Sequence, residues 1–245
     1  SAWYRRTNSS PGCSYSIMDD TLLDGQQATA MAWEVVGAEL APGLGVDPQR
    51  LREAFRREAM AFWHDEAAVG HWRVRLHEAR EQILRRALES EGADPDCAPL
   101  VNDRYIAEHR AQLKLFDDAI ATLASAAGRG YRLALITNGP AELQRDKIAR
   151  FELAQYFDVI VIEEEFGKGK PEREVFEHAL RGVGAAPREA WHIGDNLYAD
   201  VGGAQSAGVH AVWIHRERLQ LPENGGVRPD RAIGHLVELR EALGL

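Results

Sequence analysis

The stretch from residue 189 to 214 limits the possible folds most strongly. It reads EAWHIGDNLYADVGGAQSAGVHAVWI. A short apolar run leads into Asp195, a second carboxylate follows at Asp200, a helix-like segment closes at Gly208, and a second apolar run fills residues 209–214. This order predicts a strand, an acidic loop, a helix and a second strand. Because open α/β sheets bind ligands at the carboxyl ends of their strands, the acidic loop is a candidate site.

Two interpretations of this acidic loop compete. Asp is a favoured helix N-cap, so the loop could be a solvated turn that simply begins a helix. Two carboxylates held close together instead need a cation or a lysine between them, and oxygen ligands of this kind suit Mg²⁺. The rest of the chain has to decide between the two interpretations.

Strand-like and helix-like segments alternate after residue 114. Strands are predicted at 131–136 and 157–162, and helices are predicted at about 117–127, after Pro140 and after Pro171. Such repeated units predict an α/β fold, a parallel sheet with helices on both faces. The opening stretch is expected to add two strands, and the tail from Pro229 is expected to end in a short amphipathic segment.

Residues 26 to about 110 have a helical pattern throughout. Asp47-Pro48 predicts a helix start, and apolar residues then recur at helical spacing. The arginines of this insert are predicted to lie mostly on solvated helix faces; they are Arg50, Arg52, Arg56, Arg57, Arg73, Arg75, Arg80, Arg85 and Arg86.

Composition limits the kinds of binding partner and the cellular compartment that we expect. The net charge of −9 argues against a nucleic-acid partner, because phosphate chains are bound by basic surfaces. No apolar run approaches the ~20 residues of a membrane helix. The 2 cysteines form no metal-binding pattern and are expected to be free thiols. Residues 1–16 are turn-rich and predicted to be poorly ordered, and Arg5-Arg6 lacks the apolar run of an export signal. We expect a cytoplasmic protein.

Polar residues at four predicted strand ends form the candidate constellation. They are Asp19-Asp20-Thr21, Thr137-Asn138, Lys168 or Lys170, and Asp195 with Asp200. A hydroxyl, an amide and the unpaired N–H groups at the start of the Pro140 helix would cradle a phosphate. A lysine would supply the compensating charge, and carboxylates with Mg²⁺ would polarise the phosphoryl group. Taken singly, Thr137-Asn138 could be a helix cap and Lys170 a surface lysine.

In order, the motifs DDTL (19–22), LITNG (135–139), KP (170–171) and GDNLYAD (194–200) resemble the haloacid dehalogenase-like hydrolase superfamily. The resemblance covers about residues 17 to 240. It implies a Rossmann-like core formed by residues 17–24 and 114–245, and an α-helical cap formed by residues 25–113. The cap resembles the branch that includes phosphoglycolate-phosphatase-like, N-acylneuraminate-9-phosphatase-like and pyrimidine-nucleotidase-like enzymes.

The resemblance also implies roles for individual residues. Asp19 would be the general acid/base and would lend its backbone carbonyl to Mg²⁺. Thr137 and Asn138 would bind phosphate, and Lys170 would steady nucleophile and phosphate. Asp195 would be a direct Mg²⁺ ligand, with Asp200 supporting the metal site. The implied substrate is a small phosphorylated metabolite, bound by a monomer or homodimer.

One position departs from the family pattern. The motif D-x-D-x-T, anchored on Thr21, places the nucleophilic aspartate at position 17, where this chain has Ile17. An isoleucine cannot attack phosphorus, which excludes a covalent intermediate at this position. Either the first 17 residues are not the native start, which the abrupt loss of resemblance upstream favours, or the chain has lost the usual chemistry.

Three functions therefore remain open. The leading hypothesis is a Mg²⁺-dependent phosphatase. A haloacid dehalogenase or a phosphomutase is a second hypothesis, although halide displacement needs neither the acid Asp19 nor Mg²⁺. The third is a protein that binds a phosphorylated ligand or a protein partner without turnover. Trp63, His64, His71, Trp72 and Arg73 could contact substrate, but aromatic residues at helical spacing more often belong to a core.

Overall fold

The protein is described here by a computed structural model covering residues 18–64, 66–217 and 226–239, without the side chains of 66–68. Ile17 and the predicted N-terminal segment 1–16 lie outside these residues. The described chain forms two compact units, an α/β unit from residues 18–23 and 115–239 and a helical unit from residues 24–114. Within the described ranges, no helix is both long enough and apolar enough to cross a bilayer.

The helical unit contains five α-helices in its described residues. They are α1 (Gly25–Leu44), α2 (Pro48–Phe62), α3 (Glu66–Arg73), α4 (Leu76–Ser90) and α5 (Ala98–Gln112). The predicted N-cap is confirmed, because Asp47 accepts hydrogen bonds from the backbone N–H groups of Gln49 and Arg50. A buried core joins α1, α2, α4 and α5 around Trp33, Phe55 and Tyr105. Trp63 and Trp72 pack around Phe62, with Trp63 against the edge of that core.

The α/β unit alternates helices and strands, as the sequence predicts. After α6 (Ala119–Gly128) the order is β1 (Ala134–Thr137), α7 (Ala141–Arg150), β2 (Val159–Ile162), α8 (Glu163–Phe166), α9 (Arg173–Val183), β3 (Trp191–Gly194), a π-helix (Leu197–Gly202), α10 (Gly203–Ser206), β4 (His210–Ile214) and β5 (Arg231–Ile233). The chain before α6 pairs with the chain after Met18 through an antiparallel bridge between Leu23 and Leu115.

All strand pairs of the described chain are parallel. Strand β1 pairs with β2, and β4 lies between β3 and β5. Strand β1 is buried along its length because β-branched and leucine side chains suit a sheet covered by helices. Helix α9 packs Val175 and Phe176 into the same core as Ile136 and Val161. The candidate residues follow the carboxyl ends of β1 and β3.

Three local features differ from the sequence-based expectation. The described part of the opening stretch, residues 18–24, forms isolated bridges at Asp19 and Leu23 and no strand. Part of the helix predicted after Asp195 is a π-helix, whose wider turn is common beside functional sites. The tail contains the short strand β5, which a run of three residues does not reveal by periodicity. Leu236 and Leu239 of the predicted amphipathic segment are buried, and Leu243 lies outside the described residues.

Candidate active site

Asn138 fastens the Lys170 loop to the end of β1. Its side-chain Nδ2 donates to the Lys170 carbonyl at 2.9 Å, and its Oδ1 accepts from the Lys170 backbone N–H at 2.8 Å. Both residues are buried, and the Lys170-Pro171 peptide bond is cis. The sequence left Lys168 and Lys170 as alternatives. Lys168 is exposed and pairs with Glu174, so Lys170 is the lysine that belongs to the site.

The ammonium group of Lys170 lies against the acidic loop after β3. Its Nζ is 3.0 Å from Asp200 Oδ1 and 3.3 Å from the carbonyl oxygen of Ile136. The buried ring of His192 also contacts Asp200 Oδ1, through Nε2 at 3.2 Å. Residues from the ends of β1 and β3 and from the loop before α9 therefore meet at one place.

Burial shifts the pKa values of this group. Desolvation raises the pKa of Asp200 to about 7, although the nearby Lys170 charge opposes the shift. Burial and the charge of Lys170 keep the pKa of His192 well below its usual value, which favours a neutral ring. The pKa of Asp195 is raised well above its usual value by burial and by the charges of Asp20 and Asp200, with Lys170 opposing. Asp195 is half-buried within this carboxylate group.

Asp19 lies on the same unit and is fully buried. Its Oδ2 is 2.5 Å from Nζ of Lys147, a lysine of α7 that is 4% exposed. Sequence reasoning missed Lys147 because the contact joins residues 128 positions apart. The only sequence signal is that Gln144, Lys147 and Ile148 share one helix face, and this face is buried.

Arg216 binds the backbone of the loop that contains Asp19. Sequence reasoning missed this residue as well. Its Nη2 donates to the Thr21 carbonyl at 2.7 Å, its Nη1 contacts Asp118 Oδ2 at 2.9 Å, and its guanidinium lies 3.9 Å from the ring centre of Phe116. The loop itself turns at Asp20, whose φ is 60°. A non-glycine residue in this conformation is uncommon and is found where surrounding contacts fix the backbone.

The predicted phosphate cradle is only partly available. The backbone N–H of Gly139 donates to Glu163 at 2.8 Å, and the N–H of Ala141 donates to Glu164 at 2.6 Å. Two of the donors expected to hold phosphate are thus already satisfied by carboxylates of α8. This corrects the expectation that the start of the Pro140 helix is open to an anion, and it leaves Thr137, Asn138 and Lys170 as candidates.

Among the described residues, five buried side-chain atoms have no hydrogen-bond partner, and three of them are oxygens of candidate site residues. They are Asp19 Oδ1, Thr21 Oγ1 and Asp200 Oδ2. Unsatisfied oxygens in a carboxylate-rich site suit a cation. The described residues contain no group of three or more His, Cys, Asp or Glu side chains placed to hold a metal ion. The donor set therefore fits Mg²⁺ incompletely, and position 17, where the family pattern expects a further carboxylate, lies outside the described chain.

Comparisons with known proteins identify the family and the fold. The sequence profile of haloacid dehalogenase-like hydrolases matches residues 18–208. Phosphoserine phosphatase of Thermus thermophilus is 36% identical over 92% of this chain and 97% of its own length. Glyceraldehyde 3-phosphate phosphatase of Methanopyrus kandleri is 36% identical over 66% of this chain and 69% of its own. A magnesium-bound putative hydrolase of Bacillus subtilis shares the fold, with a TM-score of 0.72 at 21% identity, covering 93% of this chain and 96% of its own.

Proposed function

Because this chain belongs to the haloacid dehalogenase-like hydrolases, we propose that its site is built for Mg²⁺-dependent hydrolysis of a small phosphate monoester. The relatives named phosphoserine phosphatase and glyceraldehyde 3-phosphate phosphatase support phosphatase chemistry. The observation that carries the proposal is the position of Lys170. Its buried ammonium group joins Asp200 to the end of β1, where a phosphoryl group would need a positive charge.

In this proposal, each of the described site residues has a separate role in the reaction. Thr137, Asn138 and Lys170 would hold the phosphoryl oxygens, and Lys170 would offset their charge. Asp19 would give a proton to the leaving oxygen, with Lys147 fixing the orientation of its carboxylate. Asp195 and the Asp19 backbone carbonyl would hold Mg²⁺, supported by Asp200. When bound, the metal supplies charge stabilisation to the phosphoryl group.

Position 17 limits the activity of this chain. The family pattern places the attacking carboxylate there, and Ile17 has no nucleophilic atom. Removing an essential nucleophile from a site whose parts act together typically costs orders of magnitude in rate. We therefore expect the chain with Ile17 to hydrolyse phosphate esters slowly or not at all, and to bind Mg²⁺ weakly.

A second candidate function is retention of a phosphorylated ligand without turnover. Ile17 favours it, because the remaining groups for binding phosphate do not depend on a nucleophile. In this case phosphate esters would stabilise the fold against heat although no phosphate is released.

The deciding experiment measures phosphate release from p-nitrophenyl phosphate, with and without Mg²⁺, for the unchanged chain, Ile17→Asp and Ile17→Asn. We expect Ile17→Asp to exceed the other two proteins by at least about a thousandfold. Ile17→Asn is the matched control, since it adds polarity without a nucleophile. Strong Mg²⁺-dependent turnover by the unchanged chain, with phosphate trapped on Asp19 or Asp20, would overturn the assignment of position 17. Thermal stabilisation by phosphate esters without turnover by any of the three would support the second candidate function.

A further inference from the structure

The end of strand β4 carries two side chains that bind the backbones of two different acidic loops. These are the Asp19 loop, residues 18–23, and the Asp195 loop, residues 195–200, which follows β3. Trp213 is the fourth residue of β4, and Arg216 lies two residues after the strand ends. A segment of four residues, 213–216, therefore reaches both loops.

The indole of Trp213 holds the Asp195 loop. In the β3–β4 pair, Trp213 lies beside Gly194, the last residue of β3. Its Nε1 donates to the Asp195 carbonyl oxygen at 2.9 Å. The side chain is 6% exposed, and its ring centre lies 4.6 Å from that of His215. This hydrogen bond uses the backbone of Asp195 and not its carboxylate.

The guanidinium of Arg216 holds the Asp19 loop in a similar way. Its Nη2 donates to the Thr21 carbonyl oxygen at 2.7 Å, and its Nη1 binds the Asp118 carboxylate at 2.9 Å. The backbone that carries it is also fixed, because the His215 N–H donates to the Ile233 carbonyl of β5 at 2.7 Å. Here too the donor binds a backbone oxygen of the loop rather than one of its carboxylates.

The two loops carry like charges close together. Burial raises the pKa of Asp195 most, and the charges of Asp20 and Asp200 raise it further, with Lys170 opposing. Carboxylates at such a place repel one another when they are ionised. The ion pair between Lys170 and Asp200, at 3.0 Å, offsets part of this repulsion, but it does not bind the Asp19 loop. The spacing of the two loops therefore needs a further support.

We propose that Trp213 and Arg216 are positioning residues that hold the Asp19 loop and the Asp195 loop at a fixed spacing in the unliganded chain. Because both donors come from the end of one strand, this spacing is set by the sheet and not by a bound ligand. The carboxylate oxygens stay available, and Asp19 Oδ1 and Asp200 Oδ2 have no hydrogen-bond partner among the described residues. This role concerns the unliganded chain, so it does not depend on the reaction that the site performs.

The backbone motion of the two loops in the full chain tests the proposal. Relaxation dispersion of ¹⁵N-labelled backbone amides detects motion on the microsecond-to-millisecond timescale. The proteins are the unchanged chain, Trp213→Phe, Arg216→Lys and the control Trp191→Phe. Trp191 is a matched control because it begins β3, beside His210, at the opposite end of the same strand pair.

We expect each substitution to affect one loop. Trp213→Phe removes the indole N–H, so dispersion should appear at residues 195–200 and not at residues 18–23. Arg216→Lys keeps the charge but loses the second arm of the guanidinium, so dispersion should appear at residues 18–23 alone. The unchanged chain and Trp191→Phe should show none in either loop.

A second substitution separates positioning against charge repulsion from ordinary packing. Asp20→Asn combined with Trp213→Phe should suppress the motion at residues 195–200, because one repelling charge is removed. Asparagine tolerates the backbone at position 20, whose φ is 60°. If Trp213 only packed against its neighbours, a change in the other loop would not restore the Asp195 loop.

The consequence for catalysis rests on the proposed function. In the Ile17→Asp chain, Trp213→Phe should lower kcat for p-nitrophenyl phosphate about ten- to a hundredfold with KM little changed, because a displaced loop misplaces its carboxylate. Trp191→Phe should leave kcat and KM unchanged. If Ile17→Asp has no activity, the proposed function fails, and the dispersion measurements still decide whether the two loops are positioned from β4.

The proposal is overturned if both loops of the unchanged chain already show dispersion, or if Trp213→Phe leaves residues 195–200 as rigid as Trp191→Phe does. Equal dispersion in both loops after either substitution would also contradict it, since that pattern reports a general loosening. Motion that persists at residues 195–200 after Asp20→Asn would overturn the role against charge repulsion. If Arg216→Lys does not fold, Trp213→Phe with and without Asp20→Asn decides the question.

Discussion

Among the described residues, the α/β unit contains fully buried ion pairs, whereas every ion pair of the helical unit keeps at least one partner at least partly exposed to solvent. In the α/β unit, Lys147 and Asp19 form an ion pair in which both side chains are at most 5% exposed. In the helical unit, Arg104 pairs with Glu39 while these side chains remain 30% and 50% exposed. An exposed pair contributes little to stability and is easily replaced. A buried pair has a desolvation cost that its Coulomb attraction offsets only with good geometry, so buried pairs gathered in one place indicate chemistry rather than stabilisation.

Breaking the buried pair should give the largest effect on stability. Lys147→Met would leave the Asp19 carboxylate buried without its cation, and such losses cost about 3–5 kcal/mol. The midpoint of urea unfolding checks the free energy of unfolding. Asp19→Asn combined with Lys147→Met should recover much of the loss, because no buried charge remains.

The matched control for this prediction is Arg104→Met in the helical unit. It removes one partner of an exposed pair and should cost less than about 1 kcal/mol. If Lys147→Met and Arg104→Met lower the free energy of unfolding equally, burial of the ion pair does not explain the difference between the two units.

Gly169→Ala should come next in size, because a Cβ at this position has no room. It would lie 2.4 Å from Cδ of Glu163 and 2.8 Å from Oδ1 of Asn138. Overpacking of this kind costs about 1–3 kcal/mol. Here it would also displace the Glu163 carboxylate from the Gly139 N–H group. The midpoint of thermal unfolding measures the loss.

Gly128→Ala is the control for Gly169→Ala. Gly128 is the last residue of α6, and a Cβ there meets no atom within 4 Å. Alanine favours helices over glycine, so this substitution should be neutral or slightly stabilising. A similar loss at both glycines would contradict the assigned crowding.

The last prediction concerns pH. Expressed per pH unit, the change in the free energy of unfolding that Asp200 causes should be the smallest of these effects. The pKa of Asp200 is raised from 3.8 to about 7, so between these pH values the folded state binds more protons than the unfolded state. The contribution of Asp200 to stability is therefore present below pH 3.8 and is lost as pH rises to about 7, by at most about 1.4 kcal/mol per pH unit. Asp200→Asn should flatten the pH dependence of urea unfolding in this range. An unchanged slope would mean that Asp200 ionises as in the unfolded chain.

Secondary structure was predictable from the sequence where it depends on residues that are close together in the chain. The strands ending at Thr137 and Gly194 and the helix after Asp47 follow from apolar runs, turn residues and caps. Motif order, and the rule that parallel strands end on one edge, predicted that the Lys170 loop and the loop after β3 meet, and the contact between Lys170 and Asp200 joins these two loops.

Contacts between distant residues were not predictable in the same way. Lys147 has the spacing of an ordinary amphipathic helix, and nothing local indicates that its charge faces Asp19. The acidic run Glu163-Glu164-Glu165 gave no sign that its carboxylates would bind the N–H groups of Gly139 and Ala141 and the Arg145 side chain.

The two hydrogen bonds between the Asn138 side chain and the Lys170 backbone make the Lys170 amide a probe for hydrogen exchange. The Lys170 amide proton points into the protein and is donated to a buried side-chain oxygen. Its exchange with deuterated solvent therefore requires the Lys170 loop to separate from the end of β1. The exchange rate of this single amide would report the integrity of the site in the unliganded chain, whether or not the chain turns over a substrate.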